Sequence, residues 1–175
     1  LAAVDDTTSY PADARESRFR TMVEQAPDWN LSRQRYWGTP LPVWTCEECD
    51  RDVVVGDAEE LATVAGLDEV PDDLHRPAVD EMRVECPDCG GVARRGEDVL
   101  DVWFDSALAS WASQRVRPPE TPEVWPADLV VEGHDQTRGW FLTQLYLGVA
   151  FADRAPYEEV LMHGFANLDG KAMSK

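Results

Sequence analysis

The chain has 175 residues, enough for one domain of ordinary size or a larger body with a small appendage. Its 34 acidic against 16 basic residues give a formal charge of −18, which excludes a sequence-independent nucleic-acid binder and confines any nucleic-acid contact to a local patch. That acidity suits a solvated surface or a high-salt cytoplasm equally, and no apolar run reaches the roughly 20 residues of a membrane span.

The opening stretch, LAAVDDTTSYPADARESRFR, has neither the basic nor the apolar block of a secretory signal. A soluble, cytoplasmic protein without a membrane partner is expected, and the start without methionine suggests a piece of a longer chain. Residues 1–30 are polar and acidic with one expected helix, ARESRFRTMVEQA, whose Phe19, Met22 and Val23 share a face and which Pro27 stops. The next segment, DWNLSRQRYWGTPLPVW, is dense in aromatics, and Gly38, Pro40 and Pro42 make it a structured loop leading into a strand. Its Arg33, Arg35, Tyr36, Trp37 and Trp44 are compatible with a nucleotide- or RNA-facing loop, but a packed loop whose arginines pair with neighbouring acids is the favoured reading.

Between Thr45 and Arg95 the composition shifts. A β-branched run (DVVVG), a short helical stretch (DAEELATVAG) and LHRPAVDEMRVECPDCGG supply too few large apolar residues for an independent core. The staple is in the cysteines: Cys46-x-x-Cys49 and Cys86-x-x-Cys89 form two identical pairs in a chain without export signals, which favours metal over disulfides. Four soft thiolates suit a structural Zn²⁺ with no open position; neither pair opens a helix in a redox setting.

The last eighty or so residues read as α/β. In DVLDVWFDSALASWAS, Trp103, Phe104 and Asp105 end a strand-like run, and Asp105 or Ser106 is expected to cap the following helix. DLVVEGH (128–134) is an apolar strand, QTRGWFLTQLYLGVAFAD (136–153) a helix, and YEEVLMHGF (157–165) a second strand. This is the length of a crossover between parallel strands. Ligands of open parallel sheets sit beyond the carboxyl ends of strands, which here are EGHDQ and HGFANLDGKAMSK.

VEGHDQTRGWF concentrates Glu132, His134, Asp135, Gln136, Arg138 and Trp140 at such an end. Core formation does not need these polar groups, and Gly133 allows a ligand close to the backbone. Glu132, Asp135 and Gln136 suit a nucleotide-sized ligand with hydroxyl groups and an ammonium, and Trp140 offers an apolar wall. His134 and His163 also end strands but lack the spacing and the third ligand of a metal site. The closing LDGKAMSK is not a Walker loop. Its Lys171, Ser174 and Lys175 are either a solvated tail or a mobile loop whose lysine stabilises phosphates during nucleotidyl transfer.

In this order, NLSRQRYWGTPLPVW, the first cysteine pair, LHRPAVDEM, the second pair, DVLDVWFDS, VEGHDQTRGWF and HGFANLDGKAMSK resemble the archaeal-type isoleucyl-tRNA synthetases, a family of class I aminoacyl-tRNA synthetases. The resemblance runs from about residue 10 to 175. It implies an α/β fold: the second half of a Rossmann-type (HUP-like) parallel-sheet catalytic domain with a small zinc-ribbon-like insert. Residues 1–44 would lead from an editing insertion into the catalytic core, 45–95 would be the zinc-binding insert, and 96–175 the catalytic half ending in a KMSKS-like loop.

The implied activity is activation of L-isoleucine with ATP and Mg²⁺ to isoleucyl-adenylate, then transfer to tRNA(Ile), with no stable protein partner. By the resemblance Lys175 is the loop lysine on the ATP phosphates, with Ser174 beside it. Glu132, Gly133, Asp135 and Gln136 line the adenylate, and Trp103 and Trp140 resemble walls of the isoleucine pocket. Two positions depart from the pattern: Ala172 stands where the first signature lysine is expected, with Lys171 before it, and Ala107 replaces a glycine after WFDS. The chain lacks the HIGH signature of the other half, so it is expected to be inactive alone. The competing expectation is a non-catalytic zinc-ribbon module that binds nucleic acid or protein.

Overall fold

The computed structural model describes residues 1–173. In chain order it begins with α1 (Ala2–Asp5), β1 (Thr8–Tyr10), a π-helical turn (Arg15–Arg20) running into α2 (Thr21–Glu24), β2 (Ser32–Arg33), β3 (Val43–Cys46), β4 (Asp52–Val54) and α3 (Ala58–Val64). A 3-10 turn (Ala78–Glu81), β5 (Arg83–Glu85), β6 (Val92–Arg95), β7 (Val99–Leu100), α4 (Val102–Ala107) and α5 (Ala109–Ala112) follow. The chain then forms β8 (Ala127–Gly133), a 3-10 turn (His134–Arg138), α6 (Trp140–Ala152), β9 (Tyr157–His163), β10 (Asn167–Leu168) and β11 (Lys171–Ala172). These elements form two units, one made of Leu1–Trp29 with the segment from Trp103 onward, the other of Asn30–Val102.

In the first unit a parallel sheet has the order β1-β9-β8. Ser9 lies opposite Val160 and Val160 opposite Val130, and this row is buried. Phe141, Leu142 and Leu145 of α6 close over it, with Phe19, Met22 and Val23 from the π-helical turn and α2. The helix expected at 14–26 therefore exists, its first turns wound as π-helix. Strand β1 was not legible in TTSY: three residues become a strand only when Thr8, Ser9 and Tyr10 find Glu159, Val160 and Leu161.

Strand β9 stops at His163 rather than Phe165, and two helix starts differ from the sequence expectation. The helix read from Gln136 starts at Trp140, because Gly139 leaves the helical region (φ −131, ψ −115) and His134–Arg138 closes as a 3-10 turn. The Gln136 side-chain oxygen accepts the Trp140 backbone N–H at 2.9 Å, satisfying a donor the missing first turn leaves orphaned. Further upstream, α4 begins at Val102, so Trp103, Phe104 and Asp105 lie inside the helix, and neither Asp105 nor Ser106 is its cap. The two-residue β7 is too short to carry the strand-like run further.

The second unit carries an antiparallel sheet of order β4-β3-β6-β5, while β2 pairs with β7. Its core is Trp44, Val55, Leu61, Val79, Val84 and Ala93 with Cys46 and Cys86. Asp57 caps α3 by accepting the Glu60 N–H at 2.8 Å, and the Glu60 carboxylate accepts the Gly56 N–H at 2.6 Å, a reciprocal arrangement close to a capping box. Under the sheet Arg95, whose side chain is fully buried, donates to Asp80, to the Asp98 carbonyl at 2.8 Å and to the Leu41 carbonyl at 3.2 Å. Arg76 holds Asp80 from the other side at 2.7 Å. Burial pushes the Asp80 carboxyl up, but its hydrogen bonds and charge attraction to Arg76 and Arg95 prevail and hold it below the ordinary carboxylate range.

Two substitutions test this packing. A methyl group on Gly148 would meet the Arg154 carbonyl at 2.8 Å and the Pro156 ring at 2.7 Å, so Gly148→Ala should destabilise the protein by about 1–3 kcal/mol in chemical denaturation. Asp80→Asn leaves Arg95 buried without its counter-ion and should lower stability by about 3 kcal/mol at neutral pH. Asp80 stabilises above the ordinary carboxylate pKa, and its contribution fades as pH falls through the lowered value. The gap between wild type and variant should therefore narrow in acid.

Candidate functional site

Gly133 and His163 end β8 and β9 side by side in parallel register. The residues beyond them converge. His134 Nδ1 lies 3.3 Å from the His163 carbonyl, which can only accept, so this nitrogen carries the proton. The His134 ring also packs on Phe165 at 4.7 Å between centroids. A Cβ on Gly133 would meet Asp135 Oδ1 at 2.5 Å, so glycine is what lets the Asp135 carboxylate fold back over the strand end. Gln136 Nε2 donates to the other Asp135 oxygen at 2.9 Å.

Around Gly139 the apolar side of this end is built. A Cβ there would lie 2.7 Å from the Gln136 oxygen and 3.2 Å from the edge of the Trp103 ring. Trp140 donates its indole N–H to the Ser106 carbonyl at 2.9 Å, tying α6 to α4. Gly133, Asp135, Gln136, Trp103 and Trp140 thus come from one strand end and two helices, with Glu132 exposed as the last residue before Gly133. The sequence reading missed Gly139, whose role needs the Trp103 position to be known, and the His134–Phe165 contact, which no local pattern signals.

The four cysteines also meet, in the second unit. Their sulfur atoms all lie within 4.8 Å of one another, with Cys46–Cys89 and Cys49–Cys89 at 3.5 Å and Cys49–Cys86 at 3.7 Å. A tetrahedral ion with metal–sulfur bonds of about 2.3 Å needs sulfurs about 3.8 Å apart, so the donor set fits a metal with every position filled by protein. The two turns are built alike. Cys46 N–H donates to Arg51 O and Cys86 N–H to Gly91 O, each at 2.8 Å. Asp50 (φ 57) and Gly90 (φ 73) return N–H bonds to the Cys46 and Cys86 carbonyls. Amides of Glu48 and Gly91 point at Cys46 and Cys89 sulfur.

The thiols are not equivalent without an ion. The Cys89 backbone N–H, with that of Asp88 and the neighbouring thiols, holds Cys86 down to about 7. Gly91 N–H pulls Cys89 down, but the Cys49 and Cys46 thiols outweigh it and push Cys89 up to about 12. Metal loading must therefore displace protons.

Lys171 is exposed on the β10–β11 hairpin, with Asp169 and Gly170 in its tight turn at positive φ. It makes no ion pair among the described residues. Ser174 and Lys175 lie outside those residues.

The family model for class I tRNA synthetases (I, L, M and V) matches residues 1–175. Similar chains include isoleucine--tRNA ligases of Methanosarcina acetivorans (53% identical, covering 100% of this chain and 17% of the relative) and Halobacterium salinarum (50%, 100% and 17%). The chain thus spans about a sixth of the length of these relatives. Among solved structures, the ternary complex of Agrobacterium radiobacter K84 LeuRS with tRNA and LeuAMS is similar at 25% identity and a TM-score of 0.57, over 93% of this chain and 24% of that one. No helix among the described residues is long and apolar enough to cross a membrane.

Removing metal with a chelator should melt the cysteine unit first, read as a lower Tm and altered fluorescence of the buried Trp44, with Cys86→Ser reproducing the loss. Metal affinity should weaken as pH falls through the Cys86 value of about 7. A Tm insensitive to both chelator and Cys86→Ser would show that the sheet holds without an ion.

Proposed function

The chain belongs to the class I tRNA synthetase family of the isoleucine, leucine, methionine and valine enzymes, and from that premise we propose that it is part of an isoleucine--tRNA ligase. The whole protein then joins L-isoleucine to ATP, with Mg²⁺, as isoleucyl-adenylate and passes isoleucine to tRNA(Ile) in the cytoplasm. The observation that carries this reading is the convergence of acidic, amide and indole groups beyond β8 and β9 in a chain half identical to isoleucine--tRNA ligases. The family match also favours it over a non-catalytic zinc-ribbon module. As the chain spans only a sixth of those relatives, the 175 residues alone are not expected to aminoacylate.

In this reading the adenylate lies across the carboxyl end of β8. Glu132 and Asp135 accept from its ammonium and hydroxyl groups, Gly133 lets it approach the backbone, and Gln136 supplies an amide already held by two bonds. Trp103 and Trp140 bound the isoleucine side chain. Lys175, with Ser174 and Lys171, steadies the phosphates where negative charge develops as pyrophosphate leaves. Residues 45–95 are the insert, with Cys46, Cys49, Cys86 and Cys89 holding Zn²⁺ in a structural role, and the segment from residue 96 onward is the catalytic half.

The test is isoleucine-dependent ATP–pyrophosphate exchange by the full-length protein. Glu132→Ala should lower kcat/KM about 30- to 150-fold, the loss of a charged hydrogen bond worth about 2–3 kcal/mol. Lys175→Ala should act mainly on kcat. Undiminished exchange in Glu132→Ala would overturn the site, and preference for leucine or valine over isoleucine would overturn the substrate.

A further inference from the structure

Beside the strand-end site a groove of about 400 Å³ runs between the π-helical turn with α2 and the turn after β8. Arg18 lines one wall and Arg138 the other, with Gln25 and His134 among the polar groups between them. Both guanidiniums are exposed, and neither has a carboxylate partner or any other hydrogen-bond partner among the described residues. Arg15, Arg20, Arg33, Arg51, Arg76, Arg94 and Arg95 are bound to carboxylates; what sets Arg18 and Arg138 apart from the other unpaired arginines is that the two line the same groove. Asp135 is the one acid lining the groove, and it is already engaged by Gln136.

We propose that Arg18 and Arg138 form a phosphate-binding subsite that takes a phosphate-bearing ligand alongside the strand-end site. Two cations without a carboxylate partner that line one groove offer fork-like donors to an anion held there, the kind of donor with which arginine binds phosphate best. The acidic remainder of the surface repels a polyanion elsewhere, so the subsite also fixes where such a ligand can enter. The phosphate has two sources: a nucleotide, or the backbone of a single-stranded RNA end approaching the site. Assigning it a place beside the adenylate rests on the function proposed above; the binding of phosphate itself does not.

The experiment uses the full-length protein and three probes: inorganic pyrophosphate, ATP and a short single-stranded RNA, each titrated against wild type, Arg18→Gln, Arg138→Gln and the double variant. Arg117→Gln removes an equal exposed charge outside the groove and serves as the control. Each groove variant should weaken binding of at least one probe about tenfold and lower the slope of log K against log salt by about 1, with Arg117→Gln near wild type. A loss confined to RNA identifies a phosphodiester; a loss shared by ATP and pyrophosphate identifies a nucleotide.

Groove variants that bind all three probes like Arg117→Gln would overturn the proposal. None of these titrations needs isoleucine or turnover. Failure of isoleucine-dependent exchange with arginine-dependent binding intact would sink the function and leave the subsite standing, and the reverse result would do the opposite.

Discussion

The parallel pairing of β8 with β9 is the constraint on which the candidate site depends. It sets Gly133 against His163, and everything that gathers beyond them does so because those two residues end level. The pairing itself rests on the row Ser9, Val160 and Val130, sealed by α6. Tyr157, buried at the foot of β9, donates its hydroxyl to the Phe141 carbonyl at 2.8 Å and so fixes where along the strand the helix lies. A shift of one residue in β9 would turn its buried face outward and separate His163 from the turn that carries Asp135 and Gln136.

The Asn30–Val102 unit solves a different problem. Its apolar core is small, and two polar devices complete it: four sulfurs brought within reach of one ion, and an arginine buried whole against Asp80. The two differ in kind. Thiolates that took up an ion from solution would tie stability to its supply, whereas the Arg95 pair is self-contained and answers only to pH. Asp80 joins both sides of the unit, since Arg76 reaches it from a loop and Arg95 from the sheet.

Much of this was legible in the residues. Two C-x-x-C pairs admit few geometries, so the meeting of Cys46, Cys49, Cys86 and Cys89 could be read from spacing alone. The apolar runs of β8, β9 and α6, bounded by Pro126 and glycines, gave the crossover. What escaped was what distant partners decide. The three residues of β1 have no pattern of their own, and α4 begins at Val102 because β7 stops early, leaving Trp103 on a helix. The helix expected from Gln136 onward ran through Gly139, yet Gly139 leaves the helical region there, and Gln136 and Trp103 occupy the space a side chain would need. Arg18 is a residue of a polar helix until Arg138 is seen across the groove.

Gln136 has a consequence of its own. Its oxygen caps α6 through the Trp140 N–H and its nitrogen steadies Asp135, so its conformation is settled before any ligand arrives. A free glutamine would lose rotamer freedom on engaging a substrate, a loss of about 0.5–1.5 kcal/mol for such a side chain; here the folding of the helix has already absorbed it. The start of α6 and the polar edge of the site are therefore one hydrogen-bonded object. A ligand that pulled Gln136 into a new rotamer would have to fray the helix, so binding selects molecules that accept the glutamine where it stands.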